Sequence, residues 1–112
     1  MSQSEVVRAE NVDDIITELR RRKPQLWYAV IPESDSPTLL KVPAREQRLK
    51  TMQSTVGGLI QWVPLPKPYD AYGLVVDEES VYKYSVNERA SALFGQFVYG
   101  HVIHGPVMVV PN

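Results

Sequence analysis

Apolar positions along the chain change their spacing several times, and each change marks an element. Val12, Ile15, Ile16 and Leu19 recur at helical intervals, with Asn11 placed to cap the start and Pro24 to stop the run, so residues 11–23 are predicted to be an amphipathic helix. Leu26 to Ile31 is a run of β-formers, and Thr38 to Val42 is another beyond a polar segment. Together they predict a hairpin. Leu49, Met52 and Val56 return to helical spacing before Gly57-Gly58, which predicts a second helix over about Arg45 to Val56 with a glycine stop.

Leu59 to Val63 reads as a strand ended by Pro64, with Pro66 and Pro68 stiffening the loop that follows. Tyr72 to Val76 and Val81 to Tyr84 read as strands around the acidic turn Asp77-Glu78-Glu79-Ser80, and Asn87 is placed to cap a short helix through Phe94. Phe97 to Ile103 and Val107 to Val110 are predicted as closing strands, interrupted by Gly105-Pro106. The expected fold class is α+β, with a mixed or mainly antiparallel sheet of five to seven short strands and two to three helices. Residues 1–112 form one domain on this reading, with a flexible N-terminus over residues 1–10.

Length and charge narrow the functions open to such a domain. At 112 residues a division into two would leave each half too small for an adequate apolar core. A net charge of −1 supplies no general attraction for duplex DNA or an anionic membrane, and DNA mimicry calls for much stronger acidity. The chain has no cysteine, hence no disulfide framework and no thiol nucleophile, which points to a reducing cytoplasm. No stretch approaches the roughly 18 apolar residues of a membrane span, and no classical signal opens the chain.

From about residue 26 to residue 112 the order of motifs resembles a small domain family carried by phages, plasmids and integrated elements of bacteria. The residues that carry the likeness are Met52-Gln53, Val56-Gly57-Gly58-Leu59-Ile60, Val76-Asp77-Glu78-Glu79, Asn87-Glu88-Arg89 and the apolar end Val107 to Val110. Leu59 and Gln61 replace the Tyr and Glu usual in that family, and Glu88 intrudes between Asn87 and Arg89. The resemblance implies provenance more than chemistry, and makes the helix of residues 11–23 an addition to a core over residues 26–112.

No catalytic relay can be drawn, no metal site is expected and no cofactor is implied. His101 and His104 are three apart, which suits a helix better than the strand expected there, and Asp77 with its acidic neighbours reads as a solvated turn. Tyr82 and Tyr84 on one strand face, beside Asn87 and Arg89 at a helix start, form a candidate site for a nucleotide-like anion, the alternative being sheet packing and capping. Arg20, Arg21, Arg22 and Lys23 form the one dense basic run, suited to a helix C-terminus or to an acidic partner. Tyr69 and Tyr72 flank the proline loop after Trp62, and the three are candidate partner-binding aromatics, the alternative being that the tyrosines fold back to cover the sheet.

The leading expectation is a non-enzymatic phage or mobile-element protein that binds and inhibits a bacterial host protein, as one of a defence system would be. The second is a protein that sequesters a nucleotide-like signal, as a homo-oligomer with the ligand at an interface.

Overall fold

β-branched and aromatic residues that alternate between two covered faces fix the sheet. The computed structural model describes residues 6–8, 12–22, 26–67, 69–98 and 102–111. Its strands are β1 (Val6–Arg8), β2 (Trp27–Ile31), β3 (Thr38–Lys41), β4 (Ile60–Pro64), β5 (Tyr72–Asp77) and β6 (Val107–Pro111). They form one sheet in the order β1-β3-β2-β6-β5-β4, with every pair antiparallel. The last strand in sequence therefore lies in the middle, between β2 and β5. The α+β fold is the expected one.

The helices are α1 (Val12–Arg21), α2 (Arg48–Val56), the single turn α3 (Ser80–Lys83) and α4 (Glu88–Phe94). Helices α1 and α4 cover one face, where Ile15, Leu19 and Phe94 pack with Ala29, Leu74 and Val109. Helix α2 covers the other, with Val56 and Met52 against Tyr28, Val75 and Met108. Register carries this second face across the sheet as the row Val30, Met108, Val75, Trp62. No helix among the described residues is long and apolar enough to cross a membrane.

Helix α1 is not an appendage to a core that begins at residue 26. Ile15, Ile16 and Leu19 are buried within the main apolar cluster, so the core is completed from both sides of that boundary. The flexible stretch expected over residues 1–10 also contains an element: Val6–Arg8 pairs with β3. Residues 1–5 and 9–11, with the proposed cap Asn11, lie outside the described residues, as do Lys23 and Pro24.

Three local expectations fail for physical reasons. Pro64 lies inside β4 and does not stop it before that point, because its missing N–H falls on the open side of an edge strand, where no ladder bond is lost. Val81 to Tyr84 is not a strand: the Asp77 carboxylate accepts the Glu79 N–H at 2.8 Å and the Lys83 ammonium, which curls the chain into the single turn of α3. The described residues of the expected strand Phe97 to Ile103, namely 97, 98, 102 and 103, form no strand either. Gly95–Phe97 is a 3-10 turn, and both backbone groups of Ile103 are taken by α4, its N–H by the Ser91 hydroxyl and its C=O by that hydroxyl and the Asn87 N–H.

Candidate functional site

Asn87 was placed by sequence at the start of a helix, and its side-chain oxygen does cap α4 by accepting the Ala90 N–H at 3.0 Å. Its amide nitrogen does two further jobs, donating to the carbonyls of Ile31 and Gly105 at 2.9 Å each. The side chain is fully buried and its bonds tie α4 to the end of β2 and the approach to β6. Nothing of it is left for a ligand.

Arg89 is committed in the same way. Its guanidinium donates to the carbonyls of Pro32 and Asp35 and so closes the loop between β2 and β3. Tyr84 is wedged between two glycines of positive φ, with its hydroxyl against Gly57 and its ring against Gly105. Gly57, at φ 98°, is the left-handed stop of α2, and its N–H and that of Gly58 both reach the Gln53 carbonyl. Of the four residues expected to gather around an anion, only Tyr82 faces solvent, at 87% exposure. Tyr82, Tyr84, Asn87 and Arg89 therefore do not make a shared anion site: the last three hold the framework.

The basic run is likewise split. Arg21 pairs with Glu18 at 2.6 Å, Arg22 lies over the Trp27 ring at 4.7 Å, and Arg20 lies over the Tyr69 ring at 5.8 Å. Tyr69 in turn meets Phe94 edge-on at 5.6 Å. Arg20, Arg21 and Tyr69 share a shallow hollow of about 410 Å³ with Asp13 and Thr17, while Lys23 lies outside the described residues. Tyr72 is not a surface aromatic. It is buried at 5% exposure, and burial pushes its hydroxyl above the usual tyrosine range against the opposing charge of Arg20. Trp62 remains partly exposed, with its ring laid over the bare backbone of Gly73.

A larger open volume than this hollow lies elsewhere. A groove of about 720 Å³ runs beside β4 and β5, closed by α3 and by the segment around Ile103. Trp62, Val81, Tyr82 and Val102 border it, four of the eight most exposed large apolar side chains among the described residues. Apolar exposure is therefore concentrated at this end of the sheet, which sets it apart from scattered surface apolar residues. His104 borders the groove too, with Nδ1 at 3.0 Å from the Tyr84 carbonyl. A carbonyl only accepts, so Nδ1 carries the proton of this bond. The pairing with His101 cannot be followed, since that residue lies outside the described ones. Among the described residues no three acidic, His or Cys side chains gather as metal ligands do.

Asp77, expected as part of a solvated turn, is buried at the end of β5 and bonded to Lys83, whose ammonium also reaches the Gly57 carbonyl at the end of α2. Burial pushes the Asp77 carboxyl up, but the bond from Lys83, the Glu79 N–H and the Lys83 charge together hold it below the usual carboxylate value. Glu78 and Glu79 are exposed, as a turn predicts. Because the folded value is depressed, ionised Asp77 stabilises the fold above an unfolded value of about 3.9, and that contribution disappears as pH falls through the folded value. Asp77→Asn is expected to flatten the acid limb of stability below about pH 4 relative to the wild type. Denaturant titrations at a series of pH values measure both slopes, and equal slopes would contradict the assignment.

Compared with protein families, curated proteins and solved structures, the chain matches none.

Proposed function

We propose that this chain is an accessory protein of a phage or other mobile element that binds and inhibits a bacterial host protein, as a binding module and not as an enzyme. The observation that carries the reading is the concentration of exposed Val81, Tyr82 and Val102 around the groove beside β4. An aromatic side chain with little buried contact of its own, rimmed by aliphatic neighbours and polar residues such as Gln61 and Ser80, has the make-up of an interface anchor. The motif resemblance over residues 26–112 supports the provenance, and the near-neutral charge favours a protein surface over nucleic acid. Tyr84, Asn87 and Arg89 are occupied within the fold, which counts against capture of a nucleotide-like ligand there.

Used as bait in bacterial lysate, the wild-type chain is expected to retain one protein at near-equal stoichiometry. Tyr82→Ala should lower that retention about thirtyfold, the effect of losing roughly 2 kcal/mol at an interface anchor. The variant should melt as the wild type does, because Tyr82 packs against little. Recovery of no stoichiometric protein, or equal retention by Tyr82→Ala, would overturn the reading.

A further inference from the structure

Among the described residues β4 ends the sheet, and the chemistry of its free side can be read from the ladder on its paired side. The Glu78 N–H donates to the Leu59 carbonyl at 2.7 Å, so these two face each other as a hydrogen-bonded pair. Ile60 stands opposite Asp77, and alternation then directs the N–H and C=O groups of Ile60 and Trp62, and the C=O of Pro64, away from β5. Only another extended backbone complements such a row. Edge strands are commonly guarded by charge, yet Leu59 to Leu65 carries none. The two ends of the strand differ in sign: exposed Glu78 flanks the Leu59 end, and exposed Lys67 follows the Pro64 end.

We propose that β4 pairs antiparallel with β4 of a second copy of this chain, across a two-fold axis at Trp62, and so joins two sheets into one. In this register the two Trp62 residues exchange a pair of backbone hydrogen bonds. The Ile60 N–H of each copy donates to the Pro64 carbonyl of the other, so both donors on the edge are used. The missing N–H of Pro64 leaves one unfilled position at each end. Antiparallel pairing sets Lys67 of one copy toward Glu78 of the other at both ends, whereas parallel pairing would set like charge beside like. A two-fold contact between identical strands is antiparallel by symmetry. The pairing rests on the backbone edge and stands apart from the reading of the groove.

Sedimentation equilibrium of the full chain tests it. The wild type is expected at twice the monomer mass of 12.7 kDa in the micromolar to millimolar range. Trp62→Pro removes an N–H that β5 does not use, and should leave a folded monomer; Gln61→Lys should weaken the pair by adding the missing guard charge. Lys67→Glu should raise the dissociation constant about tenfold, and adding Glu78→Lys should restore it. A monomer at every concentration overturns the proposal, as does a dimer unaffected by Gln61→Lys. Should Trp62→Pro not fold, the charge exchange decides: weakening by Lys67→Glu that Glu78→Lys fails to reverse also overturns it.

Discussion

Asn87→Ala is expected to lower the unfolding free energy by about 3 kcal/mol, the sum of a lost helix cap and two lost buried bonds to carbonyls. The carbonyls are those of Ile31 and Gly105, and the capped group is the Ala90 N–H. Such a change is large for one side chain, since a domain of this size is stabilised by only about 5–15 kcal/mol. Urea unfolding measures it as a lower midpoint at an unchanged slope. Asn87→Asp adds a second signature. Its oxygen still accepts from Ala90, but a carboxylate then faces two carbonyl oxygens, so protonation favours the fold and stability should rise on mild acidification. A loss below about 1 kcal/mol for Asn87→Ala would show that the buried bonds are not the anchor described here.

Gly105→Ala is expected to be nearly as damaging, at about 3 kcal/mol, through two separate effects. The residue has φ 75°, a left-handed conformation that disfavours any Cβ, and a Cβ built there comes within 2.5 Å of the Tyr84 ring. Tyr84 has no easy retreat, because its hydroxyl already touches Gly57 at the end of α2. Strain at the start of β6 is therefore passed to the helix on the other side of the ring. The double variant Gly105→Ala, Tyr84→Ala separates the two effects: removing the ring relieves the clash and leaves the backbone cost, so the combined loss should be less than the sum of the single ones. Thermal unfolding of the four chains measures that coupling, and strict additivity would contradict the wedge.

Elements whose pattern depends on burial of one stripe or two faces were legible in the chain. Ile15, Ile16 and Leu19 mark α1, the run from Trp27 marks β2, and Val107 to Val110 marks β6. What escaped was decided by side-chain and strand-pairing contacts that apolar spacing does not show. Val6–Arg8 is too short to announce a strand and is made one by β3. Val81 to Tyr84 has β-forming composition, yet the carboxylate of Asp77 turns it into α3. Ile103 would continue a strand but for Ser91 and Asn87, which take its backbone groups.

The candidate site was legible in kind more than in place. Asn87 was recognisable as a cap from the residues after it, but the two carbonyls its amide nitrogen reaches belong to β2 and to the turn before β6. The sequence places Tyr82 on a strand face, whereas the residue lies exposed on the single turn of α3. That β4 is an edge follows from β6 inserting between β2 and β5, a strand order that no local pattern encodes. The neutrality of β4 was visible throughout, but only the order of the sheet makes it consequential.

Under the proposed function, polar residues at the start of α4 hold the fold while the surface beside β4 and α3 meets the partner. Retention of the stoichiometric bacterial protein by two baits, Tyr82→Ala and Arg89→Ala, tests this most directly when each is used well below its own melting temperature. Tyr82→Ala is expected to melt like the wild type and lose the partner, while Arg89→Ala melts lower and keeps it. The reverse, with the partner lost by a folded Arg89→Ala and kept by Tyr82→Ala, would contradict it.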